Sequence, residues 1–189
     1  MAPLIDPDLT NLDRRILITG GVRSGKSRYA ETLLADCQEV TYVAAGPPPD
    51  PAVDAEWAAR IANHQARRAS HWQTLETTDV AGALRSASGA ILIDCLGTWL
   101  TALIDQLGTW EQPLASWQGE FQDQLEDLVK AWRERRGLAI AVTNEVGWGL
   151  VSPYRSGRVF AELLGLVNQD MAAASDEVIM IIAGRALRL

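Results

Sequence analysis

The sequence is poor in features that would carry a protein out of the cell interior or onto a polyanion. It has only two cysteines, Cys37 and Cys95. That is too few for the disulfide framework of a secreted domain, and both read as reduced packing residues. No uninterrupted apolar run approaches the roughly 18 residues that a membrane helix needs, so no membrane span is expected. The opening stretch, MAPLIDPDLTNLD, lacks the basic region and the apolar core of a signal peptide. It reads as a flexible extension over 1–13, ahead of a single domain over 14–189, and the cytoplasm is the expected location. Positive charge is also scarce. Against 24 Asp and Glu there are 17 Lys and Arg, which leaves −7 at pH 7. A surface of that sign repels nucleic-acid phosphates and anionic lipid, so neither is an expected partner. Internal repeats are absent, and the longest biased tract is the short GPPPDP at 46–51.

What the chain does have is alternation. Short apolar runs occur at Ile16–Thr19, Val40–Ala44, Ala90–Asp94, Leu138–Thr143 and Glu177–Ala183. Between them lie helical patterns over 25–36, 53–68, 98–107, 115–136 and 156–174. Near-continuous hydrophobic strands alternating with such helices predict an α/β fold of three layers, a mainly parallel sheet with helices on both faces. The terminal ALRL is a candidate antiparallel edge strand. In the last helical pattern Val159, Phe160, Leu163, Leu164, Val167 and Met171 form one stripe, which marks a core face. In 115–136 the residues Trp117, Phe121, Leu125, Leu128 and Trp132 repeat at three to four, and RERR at 133–136 reads as a solvated helix end. Trp110 and Trp117 have a second reading, as the lining of a subunit contact or of a site for a large flat ligand.

The strongest local signal is GGVRSGKS at 20–27, which follows an apolar strand and opens a helix. It satisfies the spacing of a phosphate-binding loop formed by Gly20, Gly21, Val22, Arg23, Ser24, Gly25, Lys26 and Ser27. Successive backbone N–H groups of such a loop turn inward, and the helix N-terminus adds partial positive charge. Lys26 would reach the β- and γ-phosphates, and Ser27 would offer its hydroxyl to Mg2+. A second acidic partner for that metal is expected at the end of a neighbouring buried strand, and AILIDC supplies Asp94. Its alternative is a cap for the following helix. Glu145, in AIAVTNEVGWG, stands just beyond another buried strand. It is a candidate base or orienter for an attacking hydroxyl, unless the segment is only a turn made by Asn144 and Gly147.

The segment DAEWAARIANHQARRASHWQTLE adds a different chemistry. On a helix Trp57, Ile61 and His64 share a face, with Arg60, Arg67 and Arg68 three or four positions from His64. Like-charge repulsion favours the neutral imidazole, which is a nucleophile towards phosphorus. The simpler reading is a solvated arginine-rich face. No guanine-reading N-K-x-D and no LSGGQ-like stretch is present. That leaves a small-molecule kinase or transferase, with or without a covalent histidine, or a non-catalytic nucleotide-binding module.

Taken in order, TGGVRSGKSRYAE, YVAAG, ARIANHQARRASHWQTLE, ILIDCLGTWLT, VTNEVGWGLV and GLVNQDMAAASDEV resemble the adenosylcobinamide kinase/adenosylcobinamide-phosphate guanylyltransferase family of cobalamin assembly. The likeness spans nearly the whole chain beyond the extension. It implies a P-loop NTPase-type fold and a homotrimer. It also implies two reactions: phosphorylation of adenosylcobinamide by ATP or GTP, then transfer of GMP from GTP, through an enzyme histidine, to adenosylcobinamide phosphate. By position the resemblance makes His64 the guanylylated residue. It adds Ala45, Gly46, Pro47, Gln65, Ala66, Arg67 and Arg68 as nucleotide contacts, and Glu76 and Asp94 as acidic binding positions. The chain departs from the family's pattern at Gln65, usually Lys, at Ala69 after Arg68, usually Pro, at Gly97, usually Thr, and at Ala102, often Asn.

Overall fold

The computed structural model describes residues 13–46, 52, 55–108 and 110–189, and within the helix at 55–67 it leaves the side chains of Trp57, Arg60, Asn63, His64, Ala66 and Arg67 undescribed. Among the described residues seven strands form one sheet: β1 (Arg14–Thr19), β2 (Val40–Ala44), β3 (Gln73–Glu76), β4 (Ala90–Asp94), β5 (Leu138–Val142), β6 (Glu177–Ile182) and β7 (Arg185–Arg188). Their order is β3-β2-β4-β5-β1-β6-β7. All neighbours run parallel except β6 and β7, so ALRL does belong to an antiparallel edge strand. The helices are α1 (Lys26–Leu33), α2 (Ala55–Arg67), α3 (Val80–Ser86), α4 (Leu96–Leu107), α5 (Gln118–Glu134) and α6 (Arg155–Ala173).

The two-residue period of the strands divides the core. Ile91, Ile93, Ala139 and Ala141 face one side of the sheet, where Leu84, Leu100, Leu128, Trp132, Leu163 and Val167 of α3 to α6 cover them. Ala90, Leu92, Ile140 and Val142 face the other side, with Ala30 of α1 and Leu34 just after it. Each fully buried aliphatic side chain contributes roughly 1.5–3 kcal/mol. Burial on both faces is therefore what makes these strands read as unbroken apolar runs. The stripe expected on α6 is found in the core, although Phe160 is only partly buried.

Two expectations shift. The pattern over 115–136 begins inside a 3-10 turn at Leu114–Ser116, and α5 starts only at Gln118. Trp117, only 3% exposed, belongs to the chain's own core, so it is not available to a flat ligand or a partner. Trp110 packs partly buried against the same core, and its indole N–H donates to Asp105. The expected extension lies outside the described residues apart from Asp13, whose carboxylate accepts from the Gly137 N–H at 2.6 Å and from Arg136 at 3.1 Å.

The topology determines where function can gather. In a parallel sheet the carboxyl ends of β1, β2, β3, β4 and β5 share one edge, and β5 lies between β1 and β4. The segments after β1, β4 and β5 are therefore neighbours at that edge. Beyond β1, the β6–β7 hairpin turns on Ala183 (φ 49°) and Gly184 (φ 76°), both left-handed, as a two-residue hairpin with native twist requires.

Candidate functional site

The loop after β1 is closed by a Ser24 N–H to Gly21 carbonyl bond of 3.2 Å and a Tyr29 N–H to Gly25 carbonyl bond of 2.9 Å. Gly20 has φ 145°, and a Cβ there would stand 2.4 Å from the Ile181 carbonyl oxygen. Only glycine fits. Gly25, left-handed at φ 102°, is the N-cap of α1 and offers no side chain to the first turn. The positive end of the helix dipole is thus presented to the loop without a side-chain cap. Lys26 is buried and its ammonium donates to the Gly21 carbonyl at 2.8 Å, folding back across the loop. The Ser24 hydroxyl is buried without a hydrogen-bond partner among the described residues. An orphan of that kind costs about 1–3 kcal/mol, and a phosphate oxygen in the loop would satisfy it.

Ser27 donates to Asp94 Oδ1 at 3.2 Å, and the Tyr42 hydroxyl donates to Asp94 Oδ2 at 2.8 Å. The capping alternative for Asp94 fails, because α4 is capped by Cys95 in a reciprocal arrangement with Thr98. Ser27 and Asp94 together offer hard oxygen donors suited to Mg2+, an ion that commonly takes one or two protein oxygens and completes its shell with water and phosphate. Among the described residues no group of three or more His, Cys, Asp or Glu could hold a metal. Burial, and then the Asp94 charge, push the Tyr42 hydroxyl well above the usual phenol range, so it stays a donor. The Arg68 guanidinium lies 3.3 Å from the Tyr42 ring centroid, and its Nη1 donates to the Thr74 hydroxyl at 3.1 Å.

Glu145 is bound into the same edge rather than being an incidental part of a turn. Its N–H donates to the Gly20 carbonyl at 3.1 Å, and its Oε1 accepts from Thr19 at 3.0 Å and from Asn168 at 3.2 Å. Asn168 also donates to the Asn144 carbonyl and accepts from Thr143, so one amide on α6 fixes the whole exit of β5. Oε2 has no bond among the described residues. The loop then continues through exposed Trp148, Leu150, Val151 and Tyr154.

The other expected positions are spread along the same edge. Ala45 and Gly46 follow β2. Ala45 is fully buried, so only its main chain can meet a nucleotide, and Pro47 lies outside the described residues. Glu76 ends β3 and is exposed. His64 lies on α2 with its side chain undescribed, as are those of Ala66 and Arg67, while Gln65 is exposed. Arg68 follows α2 directly and is engaged with Tyr42. The structure therefore assembles Lys26, Ser27, Asp94 and Glu145 around the loop, and reaches the foot of α2 through Tyr42. Sequence reasoning missed Tyr42 and Asn168 as site residues. A hydroxyl in an otherwise apolar strand and a lone amide near an apolar stripe were the available signals.

Residues 16–189 match the family model described as cobinamide kinase / cobinamide phosphate guanyltransferase. The chain is 37% identical over 182 residues to the bifunctional adenosylcobalamin biosynthesis protein CobU of Salmonella typhimurium, covering 92% of this chain and 98% of that one. It is 35% identical over 183 residues to the CobU of Escherichia coli K12, with the same coverage. To the protein CobP of the same description from Pseudomonas aeruginosa it is 37% identical over 180 residues, covering 93% and 96%. Among solved structures, a type III secretion system ATPase superposes with TM-score 0.54 at 11% identity, over 89% of this chain and 52% of that one. The ATPase EscN, solved with its stalk EscO, gives 0.53 at 13%, over 89% and 42%. At such identities the likeness is one of fold alone.

Proposed function

The chain belongs to the cobinamide kinase / cobinamide phosphate guanyltransferase family, and from that premise we propose how its residues divide the two reactions. The protein is a bifunctional enzyme, a kinase for cobinamide and a guanylyltransferase for the phosphate that the kinase step makes. In the kinase step the triphosphate of ATP or GTP lies in the loop over 20–27, with Lys26 on its outer oxygens. Mg2+, held by Ser27 and Asp94, would neutralise charge on the phosphates. Glu145 Oε2 takes the proton of the adenosylcobinamide hydroxyl as its oxygen bonds to the γ-phosphorus and the nucleoside diphosphate leaves.

In the second step a ring nitrogen of His64 bonds to the α-phosphorus of GTP and pyrophosphate departs into the loop. A phosphate oxygen of adenosylcobinamide phosphate then displaces the histidine and yields adenosylcobinamide-GDP. Delivery of His64 requires α2 to approach the nucleotide. The main chain at Ala45 and Gly46, with Pro47, Gln65, Ala66, Arg67, Arg68 and Glu76, would complete the nucleotide contacts. The observation that carries this reading is the Ser27–Asp94 pair beside the Lys26 loop, with Glu145 just past the end of β5, the strand between β1 and β4.

The decisive experiment incubates the protein with GTP labelled at the α-phosphorus and then denatures it. Label that is acid-labile, alkali-stable and lost in His64→Ala supports the relay. Phosphorylation of cobinamide by ATP without any protein label would replace it with a plain kinase. A homotrimer in the cytoplasm completes the proposal. No helix among the described residues is long and apolar enough to cross a membrane, and both cysteines are free thiols. Light scattering of the purified protein at a single-subunit mass would overturn the trimer.

A further inference from the structure

Tyr42 is placed as no packing residue needs to be. It is 2% exposed in the middle of β2, and its hydroxyl ends on the carboxylate of Asp94, 52 residues away. Each oxygen of that carboxylate has a described partner: Oδ2 is held by Tyr42 at 2.8 Å, and Oδ1 accepts from the Ser27 hydroxyl at 3.2 Å. A metal carboxylate held by its outer oxygen has one orientation left for the inner one, and removing such an outer hydrogen bond ordinarily weakens a metal site.

The opposite side of the same residue is engaged as well. The Arg68 guanidinium stacks on the ring at 3.3 Å from its centroid. Its Nε is buried without a hydrogen-bond partner among the described residues, and the described bond from its Nη1 reaches the neutral Thr74 hydroxyl. Tyr42 meets this cation with its ring face and with its hydroxyl, to which the Arg68 side chain also hydrogen-bonds. Arg68 is the first residue after α2, whose Gln65 carbonyl accepts its N–H at 3.2 Å. An unbroken line of contacts thus runs from Ser27 through Asp94 and Tyr42 to the foot of the helix that bears His64.

We infer that Tyr42 is a positioning residue that fixes Asp94 for the divalent cation and, through Arg68 on its ring, couples occupancy of the metal site to the placement of α2. The inference rests on the metal reading of Ser27 and Asp94, and not on the corrinoid chemistry. Because coupling between two sites is reciprocal, a change at Arg68, which is engaged with Tyr42, alters cation affinity.

The test needs no corrinoid. Free Mn2+ is measured by electron paramagnetic resonance while the protein is titrated in the presence of a non-hydrolysable GTP analogue. Tyr42→Phe keeps the ring and loses the donor. It should bind Mn2+ on the order of tenfold more weakly than the native protein, with metal-free nucleotide affinity retained as the sign of a folded loop. Unchanged Mn2+ affinity in Tyr42→Phe would overturn the positioning role. Absence of Mn2+ binding in the native protein would instead overturn the metal reading beneath it. For the coupling, Arg68→Ala should weaken Mn2+ binding severalfold beside Tyr42 and have no further effect in Tyr42→Leu, since contacting residues are not additive. Equal effects of Arg68→Ala on both backgrounds would sever α2 from the metal site, and the Tyr42→Phe result stands even if Tyr42→Leu does not fold.

Discussion

At the level of single residues, Glu145 has the geometry of a held base, one oxygen bound by Thr19 and Asn168 and the other with no bond among the described residues. Glu145→Gln keeps the shape and removes the base. It should lower kcat for cobinamide phosphorylation by about 100-fold while leaving nucleotide affinity near the native value. Steady-state kinetics with a parallel binding titration would read both, and an unchanged kcat would return Glu145 to a structural role. Gly20→Ala tests the loop itself. A methyl group at 2.4 Å from the Ile181 carbonyl oxygen forces the backbone apart, so nucleotide binding by calorimetry should be lost. Lys26, Ser27, Asp94 and Glu145 were legible in the sequence because a spacing rule and the ends of apolar runs mark them. Tyr42 and Asn168 were not. Their partners lie 52 and 23 residues away, and only folding makes those pairs neighbours.

Among the elements, α3 and β3 escaped the sequence for physical reasons. β3 is a short edge strand with all four residues exposed, so it carries no apolar run to read. α3 contains Gly82, a residue that weakens helices, but here a Cβ at 82 would meet the Asp79 carboxylate at 2.2 Å. Glycine lets Asp79 close onto the Gly82 N–H at 2.8 Å and cap the helix. Asp79→Ala should therefore cost about 1 kcal/mol in urea unfolding without touching nucleotide affinity; a change in affinity would show that α3 is coupled to the site. α4 starts two residues before its apolar pattern because Cys95, an unusual cap, is paired with Thr98. Burial pushes the Cys95 thiol up, so it should react slowly with maleimide in the folded protein and quickly in urea. At Gly97 the Asn144 side chain comes close, its Nδ2 3.1 Å from where a Cβ would stand.

For the whole molecule, alternation alone revealed a parallel α/β sheet, but not that β5 separates β1 from β4, since strand order is set by crossovers that leave no local mark. Long-range ties hold this order together. Arg15 of β1 binds the Asp176 carboxylate just before β6, through its N–H at 2.8 Å and its guanidinium at 2.9 Å. Burial works to raise the pKa of Asp176, yet the Arg15 bonds overbalance it and leave the carboxyl below its usual 3.8. The folded value is the depressed one. Its stabilisation is therefore present above 3.8 and is lost as pH falls through the lower folded value. Denaturant midpoints should drop more steeply below pH 4 in the native protein than in Asp176→Asn, and parallel curves would contradict the assignment. The hairpin at the chain's end reaches furthest back. The Gly184 N–H donates to the Ser24 carbonyl at 2.9 Å, and β6 supplies the carbonyl against which Gly20 fits. A nascent polypeptide on the ribosome thus displays its phosphate-gripping glycines long before it owns the wall behind them. The glycine turn therefore gains its backing only once the strand bearing Ile181 has been made, and a fragment that stops short of β6 should fail to bind GTP.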